Sequence, residues 1–226
     1  MGRRITILGM GPSANERRWD IDRYVDGTEV WGLNNGYLSF PSLRDGKKFA
    51  RYFELHSWRY LSTWTPGKVP DGRDIDHWHA LNALGCPVYT MQPMPMVERQ
   101  VRYPALDVFG QVAAPVYFLG SPSLMLALAV WEHRQGQTVD YIQSYGIDTS
   151  DPDHGQQRAS WAWWTSQAAA AGIAMGGTML DYQHEHEKDA GLQGLREIIQ
   201  EQLDAARAKA AKPPAEPPAA PAEVTP

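Results

Sequence analysis

The chain has 226 residues, 43% hydrophobic and 21% charged, with a formal net charge of −5 and one cysteine. This is a globular composition, which excludes a wholly disordered chain and supports a sizeable core. The acidic balance excludes a broad, sequence-independent nucleic-acid surface but allows a local basic patch. The single Cys86 cannot form an internal disulfide, so a reducing compartment such as the cytoplasm is expected. No apolar run nears the roughly 18 residues of a membrane span. The opening Met1-Gly2-Arg3-Arg4-Ile5 leads into a strand without the apolar stretch of a secretion signal.

Arg4 to Gly9 is a short apolar, β-branched run ending in glycine and reads as a buried strand. Thr28 to Leu33 reads as a second strand and Phe49 to His56 as a third, with Tyr52, Glu54 and His56 sharing one parity. A helix is predicted over His77–Leu84, then a fourth strand over Pro87–Met91. Val116–Leu119 is a weaker strand candidate, and Val139–Gly146 is a better one. Between these two, Ser121 suits an N-cap, Pro122 the first helical position, and Leu124, Leu128 and Trp131 one buried face. Another helix is predicted from about Gln156 to Ala171, stopping at Gly172. Strands alternating with helices predict an α/β, Rossmann-like domain over roughly 1–190: a mostly parallel sheet with helices on both faces. Residues 191–212 read as a C-terminal helix, suited to docking or a homo-oligomer contact, and 213–226 as a disordered Pro/Ala-rich tail.

In open α/β sheets, ligands bind beyond the carboxyl ends of strands, where strand order reverses. The first strand is followed by Gly9-Met10-Gly11-Pro12-Ser13. Gly9 and Gly11 allow close backbone approach, and the N–H groups with the Ser13 hydroxyl suit phosphate or ribose oxygens. A tight strand-to-helix turn would look the same. The third glycine of the dinucleotide fingerprint and the lysine of a P-loop are missing. Asn34-Asn35-Gly36 offers donors and acceptors for a base or ribose, and is equally strong turn chemistry. Glu54 and His56 point to one side of their strand, so the carboxylate can set the imidazole tautomer of a general base; they also fit a polar strand end with a satisfied histidine. Ser121 and Ser123 open a helix, a place where anions bind or a plain cap suffices. Asp148, after Gly146-Ile147, suits a ribose hydroxyl or a metal-bound water.

Two clusters, Asp74, Asp76, His77, His79 and His184, Glu185, His186, Glu187, carry metal-binding residue types. Neither has a cysteine pair or H-E-x-x-H, so no structural metal is expected. Trp58, Tyr60, Trp64, Trp161, Trp163 and Trp164 are either stacking faces for sugars and bases or core. Met91, Met94 and Met96, alternating with Pro93 and Pro95, suggest an extended apolar loop, a lid or simply loop packing.

The glycine turn, Leu33-Asn34-Asn35, the Ser121 helix start and Gly146-Ile147-Asp148, in that order, resemble the Rossmann-like group of the bacterial sialyltransferases of glycosyltransferase family 42 and the hydroxymethylpterin pyrophosphokinase-like proteins. Gly9 to Ser13, Phe53-Glu54-Leu55-His56 and Gly146-Ile147-Asp148 are also similar to stretches of small uncharacterised phage proteins. The resemblance covers about 1–175. It implies a nucleotide-binding transferase, glycosyltransferase-like, with a nucleotide or nucleotide-sugar donor held by Gly9, Gly11, Ser13, Asn34 and Ser121. The family's asparagine between the glycines is Met10 here, and its catalytic histidine has no aligned counterpart; His56 and His154 are both candidates. The acceptor would be a glycan or, for a phage protein in its host's cytoplasm, a modified DNA base. Two alternatives remain at this level: an ATP- and Mg²⁺-dependent pyrophosphokinase-like enzyme using Asp148 and Asp151, and a non-catalytic nucleotide-binding or interaction protein.

Overall fold

The structure is a computed structural model and describes residues 2–11, 14, 21–57, 76–110, 120–147 and 155–177. All of them lie in one compact unit, residues 1–181, whereas the second unit, 182–226, lies outside the described residues with the predicted C-terminal helix and tail. The chain order is β1 (Arg3–Leu8), α1 (Ile21–Val25), β2 (Glu29–Leu33), a 3-10 turn (Gly36–Leu38), α2 (Pro41–Asp45), β3 (Phe49–Glu54), α3 (His77–Ala83) and β4 (Val88–Thr90), followed by β5 (Gln100–Arg102), α4 (Ala105–Phe109), α5 (Ser121–Arg134), β6 (Val139–Tyr145), α6 (Gly155–Ala170) and β7 (Ala174–Gly177).

Among the described residues, these seven strands form one sheet in the order β5-β4-β3-β2-β1-β6-β7. Every neighbouring pair is parallel. This is the expected Rossmann-like α/β arrangement, and the sheet is parallel throughout. Strands buried on both faces need buried side chains at both parities, as in Ile5, Ile7 and Leu8, with Thr6 the one polar member of the run. One core joins Ile5, Ile7, Trp31 and Phe53 to α5 and to Trp161 and Trp164 of α6. The other joins Leu8, Val30 and Tyr52 to α1, α2 and α3. Helices therefore cover both faces. Among the described residues, no helix is long and apolar enough to cross a membrane.

The amino ends of the strands are tied by charge. Arg3 bridges Glu29 at 2.6 Å and Glu132 at 2.7 Å, and Arg51 shares Glu132 at 2.5 Å. Both guanidinium groups lie near the Trp31 ring, Arg51 at 4.8 Å from its centroid. Glu132 sits in the last turn of α5, so this network pins that end of the helix to the bottom of the sheet. The start of α5 therefore lies at the opposite edge, where Tyr103, just beyond β5, donates its hydroxyl hydrogen to the Leu124 carbonyl at 2.8 Å.

One local expectation is corrected, and two stretches with alternative readings are placed. Gly120, not Ser121, caps α5, because it takes a positive φ of 85° that glycine tolerates; Ser121 is the first helical residue. Met94 is 0% exposed and joins the core under the β4–β5 connection, which is the packing reading for that residue, whereas Met96 is exposed. Trp161 and Trp164 are buried in the core and offer no face to a ligand. Two short strands, β5 and β7, escape a periodicity reading: Gln100-Val101-Arg102 is largely exposed at one sheet edge, and β7 carries two glycines at the other. The weaker candidate Val116–Leu119 lies outside the described residues.

Candidate functional site

Strand order reverses at β1, which has β2 on one side and β6 on the other. This is where a parallel sheet opens a crevice at its carboxyl edge. The two segments leaving the reversal are in backbone contact: Gly9 N–H donates to the Tyr145 carbonyl at 2.7 Å and Gly11 N–H to the Gly146 carbonyl at 2.9 Å. A Cβ on Gly9 would lie 2.1 Å from the Gly146 oxygen. Gly146 has a φ of 72°, and a Cβ there would lie 2.6 Å from the Gly9 oxygen. Both glycines are therefore required by the backbone itself, whatever else the loop does.

The second element is the turn after β2. Asn34 takes a left-handed φ of 51°, a conformation asparagine tolerates, and its N–H donates to the Phe53 carbonyl at 2.9 Å. The turn carries the chain into the 3-10 helix and places Tyr37 over the α3 face of the sheet, where its N–H donates to the Tyr52 hydroxyl at 2.8 Å. The Tyr52 hydroxyl donates in turn to the Leu33 carbonyl at 3.1 Å. Asn35 precedes the 3-10 helix without capping it. The side-chain oxygens of Asn34 and Asn35 are both buried and have no hydrogen-bond partner.

The third element is the end of β3. Glu54 is 0% exposed and its carboxylate is shared by two histidines. His56 reaches Oε1 with Nδ1 at 2.8 Å and with its backbone N–H at 3.3 Å. His77 reaches Oε2 with Nε2 at 2.9 Å, and its Nδ1 lies 2.9 Å from the Tyr37 hydroxyl. His77 is delivered by the start of α3, where Asp76 caps the helix by accepting from the N–H groups of Trp78 and His79 at 3.0 and 3.2 Å.

Electrostatics orders this chain of groups. Burial opposes ionisation of Glu54, but the hydrogen bonds and charge of His56 and His77 outweigh it and hold the carboxyl below its ordinary range. Burial, then the nearby Glu54 charge, pushes the Tyr37 phenol well above its ordinary value. Tyr37 thus keeps its proton, and where His77 is neutral Tyr37 donates to Nδ1 and the His77 proton stands on Nε2, facing the carboxylate. An ionised carboxylate only accepts, so His56 carries a proton on Nδ1 toward Glu54. The His56 side chain is 37% exposed against 1% for Glu54 and 6% for His77, so it is the member of the group that meets the outside.

Of the residues singled out in the sequence, Gly9, Gly11, Asn34, Glu54, His56 and Gly146 all lie on the carboxyl edge of neighbouring strands β6, β1, β2 and β3. Ser121 is at the same edge, but α5 packs on the face opposite to the one holding His77 and Tyr37. Ser13 and Asp148 lie outside the described residues, as do Asp151, His154, Trp58, Tyr60, Trp64, Asp74 and the His184 cluster. Asp76 and His77, read as candidate metal ligands, are a helix cap and a carboxylate partner; among the described residues, no group of three His, Cys, Asp or Glu side chains is arranged to hold a metal ion. Sequence reasoning missed Tyr37 and the role of His77. Spacing cannot link residues 23 apart across a helix start; the available signal was the Asp76 cap, which fixes where that helix begins. No protein-family model matches the chain, and no curated protein is significantly similar to it.

Proposed function

We propose that the protein is a nucleotide-binding transferase of the glycosyltransferase type, working at the carboxyl edge of β1, β2 and β3. The observation that carries this reading is the Glu54–His56 pair beside the turn at Asn34: an imidazole held by a buried carboxylate next to buried side-chain carbonyl oxygens without partners. Unpaired buried acceptors cost stability unless a ligand supplies donors, as the edge of a base or a ribose does. The strand-order reversal at β1 supports the nucleotide half of the reading, although the Gly9 and Gly11 N–H groups are taken by the Tyr145 and Gly146 carbonyls.

In the reaction, the acceptor hydroxyl attacks the donor carbon while His56 Nε2 takes its proton. The carbon–oxygen bond to the nucleotide phosphate breaks, and its electron pair leaves with the phosphate. Glu54 stabilises the imidazolium formed, and His77, with Tyr37 behind it, keeps Glu54 in place. The nucleotide-binding half uses the Asn34-Asn35 turn beside the glycine loop of Gly9 and Gly11; Ser13, Ser121 and Asp148 are further candidates for the same ligand.

Thermal denaturation against a panel of nucleotides and nucleotide sugars at millimolar concentration tests the reading. At least one nucleotide raises the midpoint, and His56→Ala keeps that rise while slowing nucleotide release from the sugar donor by about 10²–10⁴-fold. No stabilisation by any member of the panel would refute the proposal.

A further inference from the structure

Among the described residues, three buried side-chain atoms lack any hydrogen-bond partner: Oδ1 of Asn34, Oδ1 of Asn35 and Nε2 of Gln92. Buried polar groups are nearly always paired, so each exception calls for an explanation. Their distribution is not random. Leu33 pairs with Phe53, which sets Asn34 beside Glu54, and Glu54 pairs with Thr90, two residues before Gln92. The three atoms thus stand at the ends of β2 and β4, on either side of the strand end that carries Glu54 and His56.

Asn34 and Asn35 belong to the nucleotide half proposed above. Gln92 is on the other side of the base and has no part in that half. Nor is it a loosely held loop residue. Its carbonyl accepts from the Thr90 hydroxyl at 2.9 Å and from Gln100 Nε2 at 2.8 Å, while Gln100 Oε1 accepts from Met94 N–H at 3.1 Å. Thr90 and Met94 are both 0% exposed. The backbone of Gln92 is therefore anchored by partly buried hydrogen bonds, while its side-chain Nε2 is left unpaired.

We infer that Gln92 marks the subsite of the second substrate, and that the group it receives is a hydroxyl of an uncharged, hydroxyl-rich molecule such as a sugar. This rests on the transferase reading, in which His56 takes its proton from a hydroxyl. The unpaired Gln92 Nε2 is a donor, and a hydroxyl oxygen accepts from it while keeping its own proton for another partner. An anion is disfavoured there because the neighbouring strand end holds the Glu54 carboxylate. The arrangement places one substrate over β1 and β2, the other over β4, and the base between them.

The test is Gln92→Met, which keeps the length and removes the polar atoms. The midpoint of the free protein rises by about 2–4 °C, because an unpaired buried donor is gone. Saturation-transfer NMR with methyl α-glucoside, β-galactoside and α-mannoside shows a signal for at least one glycoside with the native protein and none with Gln92→Met. Nucleotide affinity stays within twofold. A midpoint that falls or stays, a variant that does not fold, a glycoside signal that survives the substitution, or no glycoside signal with the native protein overturns the inference. Absence of nucleotide binding to the native protein is a separate result that overturns the transferase reading; the midpoint and glycoside measurements do not involve a nucleotide.

Discussion

Replacing Glu54 by Gln removes one charge and almost nothing else. The native carboxylate is 1% exposed and accepts from His56 Nδ1 at 2.8 Å and His77 Nε2 at 2.9 Å. The amide has one acceptor, so it keeps one histidine and turns N–H toward the other. That histidine must move its proton to the far ring nitrogen. If it is His77, the proton arrives at Nδ1 and faces the Tyr37 hydroxyl, which then has to donate elsewhere. Hydrogen bonds to a charged group contribute about 1.5–3 kcal/mol each, and losing one with partial readjustment gives a cost of about 2–4 kcal/mol near neutral pH. At about 2–4 °C per kcal/mol for a domain of this size, the midpoint falls by roughly 5–15 °C. The pH dependence follows from the sign of the shift. The Glu54 carboxyl is held below its ordinary range in the folded state, so its stabilisation is present above the unfolded value and is lost as pH falls through the folded one. Urea unfolding of both proteins between about pH 7 and pH 3 therefore shows a gap that is full at neutral pH and closes in acid, below the ordinary carboxyl value of about 4.3. A gap under about 0.5 kcal/mol at neutral pH, or one that persists unchanged into acid, would refute the shared-carboxylate account.

Other substitutions probe separate parts of the fold. Tyr37→Phe leaves His77 Nδ1 without its 2.9 Å partner and costs about 1–2 kcal/mol in urea unfolding. Gly9→Ala drives a Cβ to 2.1 Å from the Gly146 oxygen and lowers stability by about 2–4 kcal/mol, whereas Gly27→Ala, with a φ of 68° and nothing within 4 Å, costs only about 1 kcal/mol. Glu132→Leu strips the shared partner from Arg3 and Arg51 and costs about 3 kcal/mol by thermal denaturation. Burial pushes the Cys86 thiol up to about 11, so alkylation by iodoacetamide near neutral pH is at least about a hundredfold slower in the folded protein than in urea.

Much of the architecture was legible because parallel strands buried on both faces need mainly apolar runs, and Ile5 to Leu8, broken only by Thr6, and Val30 to Leu33 supply them. The edge strands β5 and β7 were not legible. Exposed Gln100 to Arg102 needs no apolar pattern, and the glycines of β7 carry no side chains to show one. At the site, strand parity alone paired Glu54 with His56, since side chains two apart share a face. His77 and Tyr37 reach Glu54 through tertiary contacts that no short-range spacing encodes. The Asn34 turn is legible in both of its readings: its left-handed φ of 51° makes it turn chemistry, and its unpaired oxygen makes it a candidate ligand contact.

The most direct measurement of the account is histidine ring NMR, with ¹⁵N-labelled histidine, during titration with the nucleotide that stabilises the protein best. His56 stands at the carboxyl edge of the sheet, and His133, beside Val139 at the amino end of β6, is the internal control. The account predicts that His56 shows a proton on Nδ1 in the free protein, that its Nε2 signal shifts as nucleotide is added, and that His133 stays still. A nucleotide that binds without moving His56, or that moves both rings alike, would contradict it.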